Sequence, residues 1–382
     1  MRIAIFSEVY WPMVSGVGVT LRRLADSLHA AGHAVRVYTA TYPLPESGDR
    51  PEVHRSPSLP LFLYRDVQWA FPRHRELVRD VADFRPDVVH VATEFALGMA
   101  GLRVARELAL PVVASAHTDY ERYAARYGLD WALKPGWHYL RWFYGQAERV
   151  LCPSRIYEEH LQSRGILRTG IWTRGVDTVA FHPRHRDAAW RAALGVEPDD
   201  AVVTYVGRLA REKNLDLLLE AWQTVAPRYP GARLALVGRG PLEDEIRDHA
   251  IPGVELCGLL TGTRLSAAYA SADLFAFPSV TETFGNVLLE AMASGLPSIV
   301  AAAGGVLDFA EHGRNAWLVA PSSVEAMVGG LERLLGDPAL RRRLAAGALD
   351  TARLRRWDAI DELLFEEYRR VARAGRRLPR AA

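Results

Sequence analysis

Two glutamates, Glu282 and Glu290, stand out for their spacing around Thr283-Phe284-Gly285-Asn286. Leu274–Phe277 ahead of them reads as a strand, and 287–295 behind them as a helix that begins near Gly285 or Asn286. The first amides of a helix lack intrahelical partners, and its dipole adds positive potential there, so this start suits a phosphate. Gly285 would let a ligand come close to the backbone. Glu282 could accept hydrogen bonds from sugar hydroxyls. Glu290, one turn after Asn286 on the same helix face, could accept from a ribose diol. Singly, each also fits an exposed surface carboxylate. Their joint placement at a phosphate-ready helix start favours nucleotide recognition over water activation by a carboxylate pair.

A second loop has the same character. Gly207-Arg208-Leu209-Ala210-Arg211-Glu212-Lys213-Asn214 follows a strand and opens a helix. Arg208 offers a planar fork and Lys213 a point charge, both suited to a diphosphate. Two such cations would stabilise a departing diphosphate as its charge develops. A surface turn with ordinary basic residues would look alike in isolation. Nothing in the loop position of Arg211 aims it inward.

Alternating elements must hold these loops. Short apolar runs at 2–7, 34–39, 87–91, Val112–Ser115 and Arg149–Cys152 read as strands, with helical patterns at 20–31, 96–108 and 139–147. The Gly-rich turn Ser15-Gly16-Val17-Gly18 precedes the first helix. After a polar stretch at 181–186 the pattern restarts. Strands follow at 201–206, Arg233–Val237, 254–257, Leu274–Phe277 and 297–300, with helices at 214–226 and 241–249. This is an α/β chain of two doubly wound parallel domains joined near 174–183. The expected boundaries are 1–176 and 177–355. In such sheets ligands bind at the carboxyl ends of the strands, and two such domains leave a cleft between them.

Bulk properties narrow the class. A chain of 382 residues fits two domains, and 49% hydrophobic residues can fill two cores. The formal net charge of +2 demands no nucleic acid partner. Two distant cysteines, Cys152 and Cys257, fit a reducing cytoplasm and argue against a structural zinc site. No run approaches the ~18 apolar residues of a spanning helix.

The set Gly207-Arg208…Lys213, then Glu282-Thr283-Phe284-Gly285…Glu290-Ala291…Gly295-Leu296-Pro297, resembles glycosyltransferase family 4. The resemblance covers nearly the whole chain, including Gly16 to Gly18 and Arg174-Gly175-Val176-Asp177. It implies a GT-B fold of two Rossmann-like domains, the last helix (about 356–374, within a 356–382 tail) packing back on the first. It implies retaining transfer from a nucleoside diphosphate sugar, with neither a bound metal nor any other cofactor. By motif position, Arg208 and Lys213 would hold the diphosphate and Glu282 the sugar hydroxyls. Thr283, Phe284, Gly285 and Asn286 would line the donor, and Glu290 would bind ribose. Gly16 and Gly18 would approach the diphosphate from the first domain, and His117 would lie near the donor sugar. His117 alone equally fits a satisfied histidine at a strand end. His117-Thr118-Asp119-Tyr120…Tyr123 and Phe284-Gly285-Asn286-Val287 are similar to bacterial mannosyltransferases that use GDP-mannose and act on glycolipids. UDP-sugar-dependent glucosyl- and sulfoquinovosyl-diacylglycerol synthases share like stretches. Ser15 departs from the Asn more usual in the subgroup, which leaves the acceptor open.

Other signals are weaker. Gly238-Arg239-Gly240 lacks the third glycine of a dinucleotide fingerprint, having Glu243 there, and no Asp-x-Asp metal handle occurs. Residues 134–144 mix basic and aromatic types, and the tail carries Arg369, Arg370, Arg373, Arg376, Arg377 and Arg380. Both suit an anionic membrane surface, and equally a packed helix and a solvated end. The expectation is a cytoplasmic transferase, in peripheral contact with the inner face of the cell membrane if those stretches dock. The partners are a nucleotide sugar and a lipid or glycan acceptor. A non-catalytic sugar-nucleotide-binding protein is the rival of another class.

Overall fold

The computed structural model describes residues 1–13, 15–43, 52–61, 64–121 and 130–375. Tyr123, Arg376, Arg377 and Arg380 lie outside them. Two compact units form. One contains Met1–Thr118, Trp131–Trp172 and the chain from Asp361 on; the other contains Thr173–Ile360, with residues 119–121 and Asp130 grouped to it.

In the first unit the strands are β1 (Arg2–Phe6), β2 (Ala34–Ala40), β3 (Val53–Ser56), β4 (Ser58–Leu61), β5 (Tyr64–Ala70), β6 (Val88–Val91), β7 (Val112–Ser115), β8 (Arg149–Cys152) and β9 (Thr169–Ile171). Seven make one sheet in the order β3-β2-β1-β6-β7-β8-β9, all parallel, and β4 pairs antiparallel with β5. The order reverses between β1 and β6, the switch point of a doubly wound sheet.

The second unit holds β10 (Val202–Val206), β11 (Arg233–Val237), β12 (Val254–Gly258), β13 (Leu274–Phe277), β14 (Ser298–Ala301) and β15 (Trp317–Val319). Their order is β12-β11-β10-β13-β14-β15, again parallel, with the reversal between β10 and β13. Helices cover both faces, so the strands are apolar on both. Val202, Val206, Phe275 and Phe277 pack into one core, and Val203, Tyr205, Leu274 and Ala276 into the other.

The final helix, Trp357–Gly375, buries Leu364, Phe365, Tyr368, Val371 and Ala372, a helical stripe. Its contacts beyond Asp361 are with the first unit. Arg23 donates to both Asp361 carboxylate oxygens at 2.9 and 2.5 Å, and Phe365 meets the edge of His33. Where the chain leaves the first unit, Val176 bridges Arg356 in parallel. A Cβ on Gly175 would come within 2.9 Å of the Trp357 ring, which accounts for glycine in that motif.

Two predicted helices begin elsewhere than expected. The first helix spans Gly16–Ala30 rather than 20–31, because Ser15 caps it and accepts from the Gly18 amide at 3.0 Å. Gly16 and Gly18 therefore lie in a helical first turn. The helix expected at 139–147 spans Leu133–Tyr144. Pro135 is tolerated because first-turn amides need no helical acceptor.

Candidate active site

The two loops singled out by sequence follow β10 and β13, the adjacent strands at the switch point of the second unit. That is where a doubly wound sheet opens a crevice for ligand. They meet through their side chains. Lys213 Nζ donates to Glu282 Oε1 at 2.6 Å, and the buried Ser279 hydroxyl donates to the same oxygen at 3.0 Å. Thr281 Oγ1 donates to the Glu212 carbonyl at 3.0 Å and Asn214 Nδ2 to the Pro278 carbonyl at 3.3 Å. A cation and a carboxylate 69 positions apart are thus held in one ion pair, each side chain about one-fifth exposed.

Buried groups beneath the first loop fix it. The Tyr205 hydroxyl donates to the Arg208 carbonyl at 2.9 Å. Burial, with the Glu282 and Glu212 charges, holds that phenol well above its ordinary range, so it keeps the proton it donates. Glu212 is buried and lies 3.7 Å from the Arg208 guanidinium, which has a quarter of its side chain exposed. Arg208 is thereby anchored by a carboxylate behind it. Arg211 instead turns to Glu245 at 3.1 Å and Asp216 at 3.8 Å, on the surface. The backbone of Leu209 exchanges hydrogen bonds with Arg239 and Leu242, docking the Gly238-Arg239-Gly240 turn against the loop. A Cβ on Gly240 would sit 2.2 Å from the Leu209 carbonyl oxygen.

The second loop ends in the helix Asn286–Ala293, with Gly285 as its cap at φ +99°. Only glycine holds that conformation cheaply, and a Cβ there would meet Val306 at 2.6 Å. Phe284 is buried and packs on Phe309 with centroids 5.0 Å apart, so only its backbone is available to a ligand. Thr283 is half-buried beside Gly305, whose absent side chain would strike the Thr283 carbonyl at 2.0 Å. The Gly305 amide donates to the Glu282 carbonyl at 2.8 Å, tying the loop after β14 to the site. Asn286 opens the helix with its Oδ1 buried and unpaired among the described residues.

Glu290 accepts from the Tyr269 hydroxyl at 2.9 Å. Burial raises its carboxyl to about 7, although the Tyr269 bond pulls the other way. A folded value above the ordinary 4.5 of a glutamate means the group favours folding most at low pH and loses that contribution as pH rises towards and through 7. Glu290→Gln should therefore raise the melting temperature at pH 8, by on the order of 1–3 kcal/mol of stability, and hardly change it at pH 5. Thermal melts at the two pH values check this; a lower melting temperature at pH 8 would contradict it.

In the first unit His117 follows β7 and is half-buried. Its Nε2 lies 2.8 Å from Ser115 Oγ, which lies 2.9 Å from His90 Nε2, and His90 Nδ1 lies 2.7 Å from the Tyr368 hydroxyl. Gly16 is exposed at its helix start; Gly18 is buried, where a Cβ would press on the Met13 carbonyl at 2.8 Å.

Sequence reasoning passed over Glu212, Ser279, Tyr269 and Gly305. Of these only the Gly304-Gly305 pair, set just after a strand, carried a local signal. Among the described residues no group of three or more His, Cys, Asp or Glu is gathered as a metal site, and no helix is long and apolar enough to cross a membrane.

Comparison with known proteins bears on what this arrangement serves. The Glycosyltransferase Family 4 model matches residues 14–180, and the Glycosyl transferases group 1 model matches 200–337. A GDP-mannose-dependent alpha-mannosyltransferase of Mycolicibacterium smegmatis is 34% identical over 389 residues, covering 100% of both chains. This chain belongs to glycosyltransferase family 4. The sulfoquinovosyl transferase of Arabidopsis thaliana is 33% identical over 94% of this glycosyltransferase and 71% of its own length. Among solved structures, sucrose-phosphate synthase from Thermosynechococcus elongatus superposes with a TM-score of 0.79 at 22% identity, covering 98% of this chain and 99% of the other. The fold of the transferase is accordingly GT-B, built from the two Rossmann-like units described above.

Proposed function

We propose that this glycosyltransferase moves a hexosyl group, with retention of configuration, from GDP-mannose bound by its second unit to a glycolipid or other glycan acceptor. The observation that carries the reading is the Lys213–Glu282 pair at the switch point, beside the start of the Asn286–Ala293 helix. In the free enzyme each partner satisfies the other. On donor binding Lys213 and Arg208 turn to the diphosphate, and Glu282 is released to accept from sugar hydroxyls. The helix-start amides, with Thr283, Phe284, Gly285 and Asn286, line the donor, and Glu290 accepts from the ribose diol. Gly16 and Gly18 serve the diphosphate from the first unit, and His117 meets the donor sugar.

Transfer breaks the bond from the anomeric carbon to the diphosphate oxygen. The departing charge is taken up by Arg208 and Lys213, with no metal ion or other cofactor assigned a part. The acceptor hydroxyl attacks from the face the diphosphate leaves, and a phosphate oxygen takes its proton. GDP-mannose as donor is supported by the full-length likeness to the M. smegmatis mannosyltransferase. A UDP-sugar donor with a diacylglycerol acceptor is the second reading; likeness to the sulfoquinovosyl transferase and to an alpha-monoglucosyldiacylglycerol synthase of Streptococcus pneumoniae, 28% identical over 78% of this chain, supports it. A thermal-shift screen of GDP- and UDP-sugars decides between them. Stabilisation by GDP-mannose over UDP-sugars is expected; the reverse order would replace the first reading by the second.

The lipid acceptor agrees with one further surface. The Leu133–Tyr144 helix buries Trp137, Leu140, Phe143 and Tyr144 but exposes Lys134, His138, Tyr139, Arg141 and Trp142, with Trp131 exposed just before it. Exposed aromatic rings among cations suit a peripheral site on an anionic membrane, on the cytoplasmic side in this reading. Trp142→Glu should lower co-sedimentation with anionic vesicles several-fold, and undiminished binding would rule this face out.

A further inference from the structure

The chain of hydrogen bonds from Tyr368 to His117 has a direction, and the direction follows from burial. Tyr368 and His90 are fully buried and Ser115 is 1% exposed. Trp172 lies edge-on to both imidazoles, at 5.8 Å from His90 and 5.9 Å from His117. A buried imidazole in such surroundings stays neutral, so His90 carries one ring proton. Burial, reinforced by the Asp361 charge, holds the Tyr368 hydroxyl well above the usual phenol range, so it keeps its proton.

Two polarities are conceivable. In one, Tyr368 donates to His90 Nδ1, His90 Nε2–H donates to Ser115 Oγ, and Ser115 donates to His117 Nε2. In the other every donor is reversed, and the Tyr368 proton needs a different acceptor. Among the described residues Tyr368 has His90 as its hydroxyl partner and no other. The reversed chain would bury an unmet donor, which favours the first polarity by about an order of magnitude or more. The Ser115 oxygen could accept from both imidazoles, but among the described residues its hydroxyl has no third partner, so once His90 donates to it the one Ser115 proton goes to His117.

We propose that Tyr368, His90 and Ser115 are positioning residues that hold His117 neutral, with Nε2 accepting from Ser115 and the ring proton on Nδ1. His117 then contributes a hydrogen-bond donor through Nδ1 rather than a base or an imidazolium. The Trp357–Gly375 helix thereby sets the state of a residue that follows β7. The catalytic consequence rests on the proposed contact of His117 with the donor sugar; the tautomer itself does not.

The test uses full-length enzyme labelled with 15N-histidine and long-range 15N–1H correlation at pH 8. The His117 ring is assigned by its loss in His117→Asn. The wild type should give the Nδ1-protonated pattern. In Tyr368→Phe the His117 signals should move towards a mixture of tautomers, with kcat falling about 10-fold or more and nucleoside diphosphate affinity within about 2-fold. Ser115→Ala cuts the chain beside His117 and should do the same if the Tyr368 variant folds poorly. An Nε2-protonated His117 in the wild type, or unchanged His117 signals in both variants, would overturn the proposal. Wild-type turnover in His117→Asn would instead overturn the contact with donor sugar, while the tautomer assignment stood.

Discussion

Glu282→Ala should lower turnover about 100- to 1000-fold while leaving nucleoside diphosphate binding intact or somewhat tighter. The carboxylate is where the donor sugar is proposed to bind, so its loss removes hydroxyl contacts that orient the anomeric carbon. The nucleotide end is affected in the opposite sense. In the free enzyme Lys213 is engaged with Glu282 at 2.6 Å, and a diphosphate must compete for it. Without Glu282 that competition disappears. Calorimetry with GDP or UDP, run beside a turnover assay, reads both effects. Loss of nucleotide binding in step with turnover would mean that Glu282 supports the loop rather than the sugar.

Lys213→Ala should do the converse and weaken nucleoside diphosphate binding about 10- to 100-fold, the range for a charge-assisted hydrogen bond to an anion. It also leaves Glu282 with Ser279 as a remaining donor, at 3.0 Å, so the loop after β13 keeps an anchor. The variant is therefore expected to fold and to fail at binding. Calorimetric affinity equal to wild type would remove Lys213 from the donor site. The two variants together separate the sugar end from the phosphate end of one ion pair: both are expected to lower turnover, but only Lys213→Ala is expected to weaken nucleoside diphosphate binding.

Much of this was legible in the residues. Strands buried on both faces are short apolar runs, and Val202–Val206, Arg233–Val237 and Leu274–Phe277 read that way because helices cover both sides of a parallel sheet. The loops after them then fall at strand ends, and Arg208, Lys213 and Glu282 follow by residue type. The β4–β5 pair was not legible: Pro60 and the polar residues Arg65, Asp66 and Gln68 break the apolar signature. The start of the Leu133–Tyr144 helix was hidden by Pro135-Gly136, which read as a breaker unless their place in a first turn is known.

Within the site, what escaped was pairing. No spacing rule brings Lys213 to Glu282 across 69 positions, or Glu212 under Arg208 as a buried anchor, or Tyr269 onto Glu290. The Lys213–Glu282 contact exists because β10 and β13 are neighbours although the strands β11 and β12 come between them in sequence, and adjacency in a doubly wound sheet is a property of topology rather than of local sequence. The same holds for Tyr368 and His90, which are 278 positions apart.

The most direct test of the account is the configuration of the product. Wild-type enzyme is incubated with the nucleotide sugar that stabilises it most in the thermal screen and with a glycolipid acceptor, and the new linkage is read by proton NMR. An α-linked donor should give an α-linked product, with one nucleoside diphosphate released per sugar transferred. A β-linked product, or release of diphosphate with no sugar transferred, would contradict it.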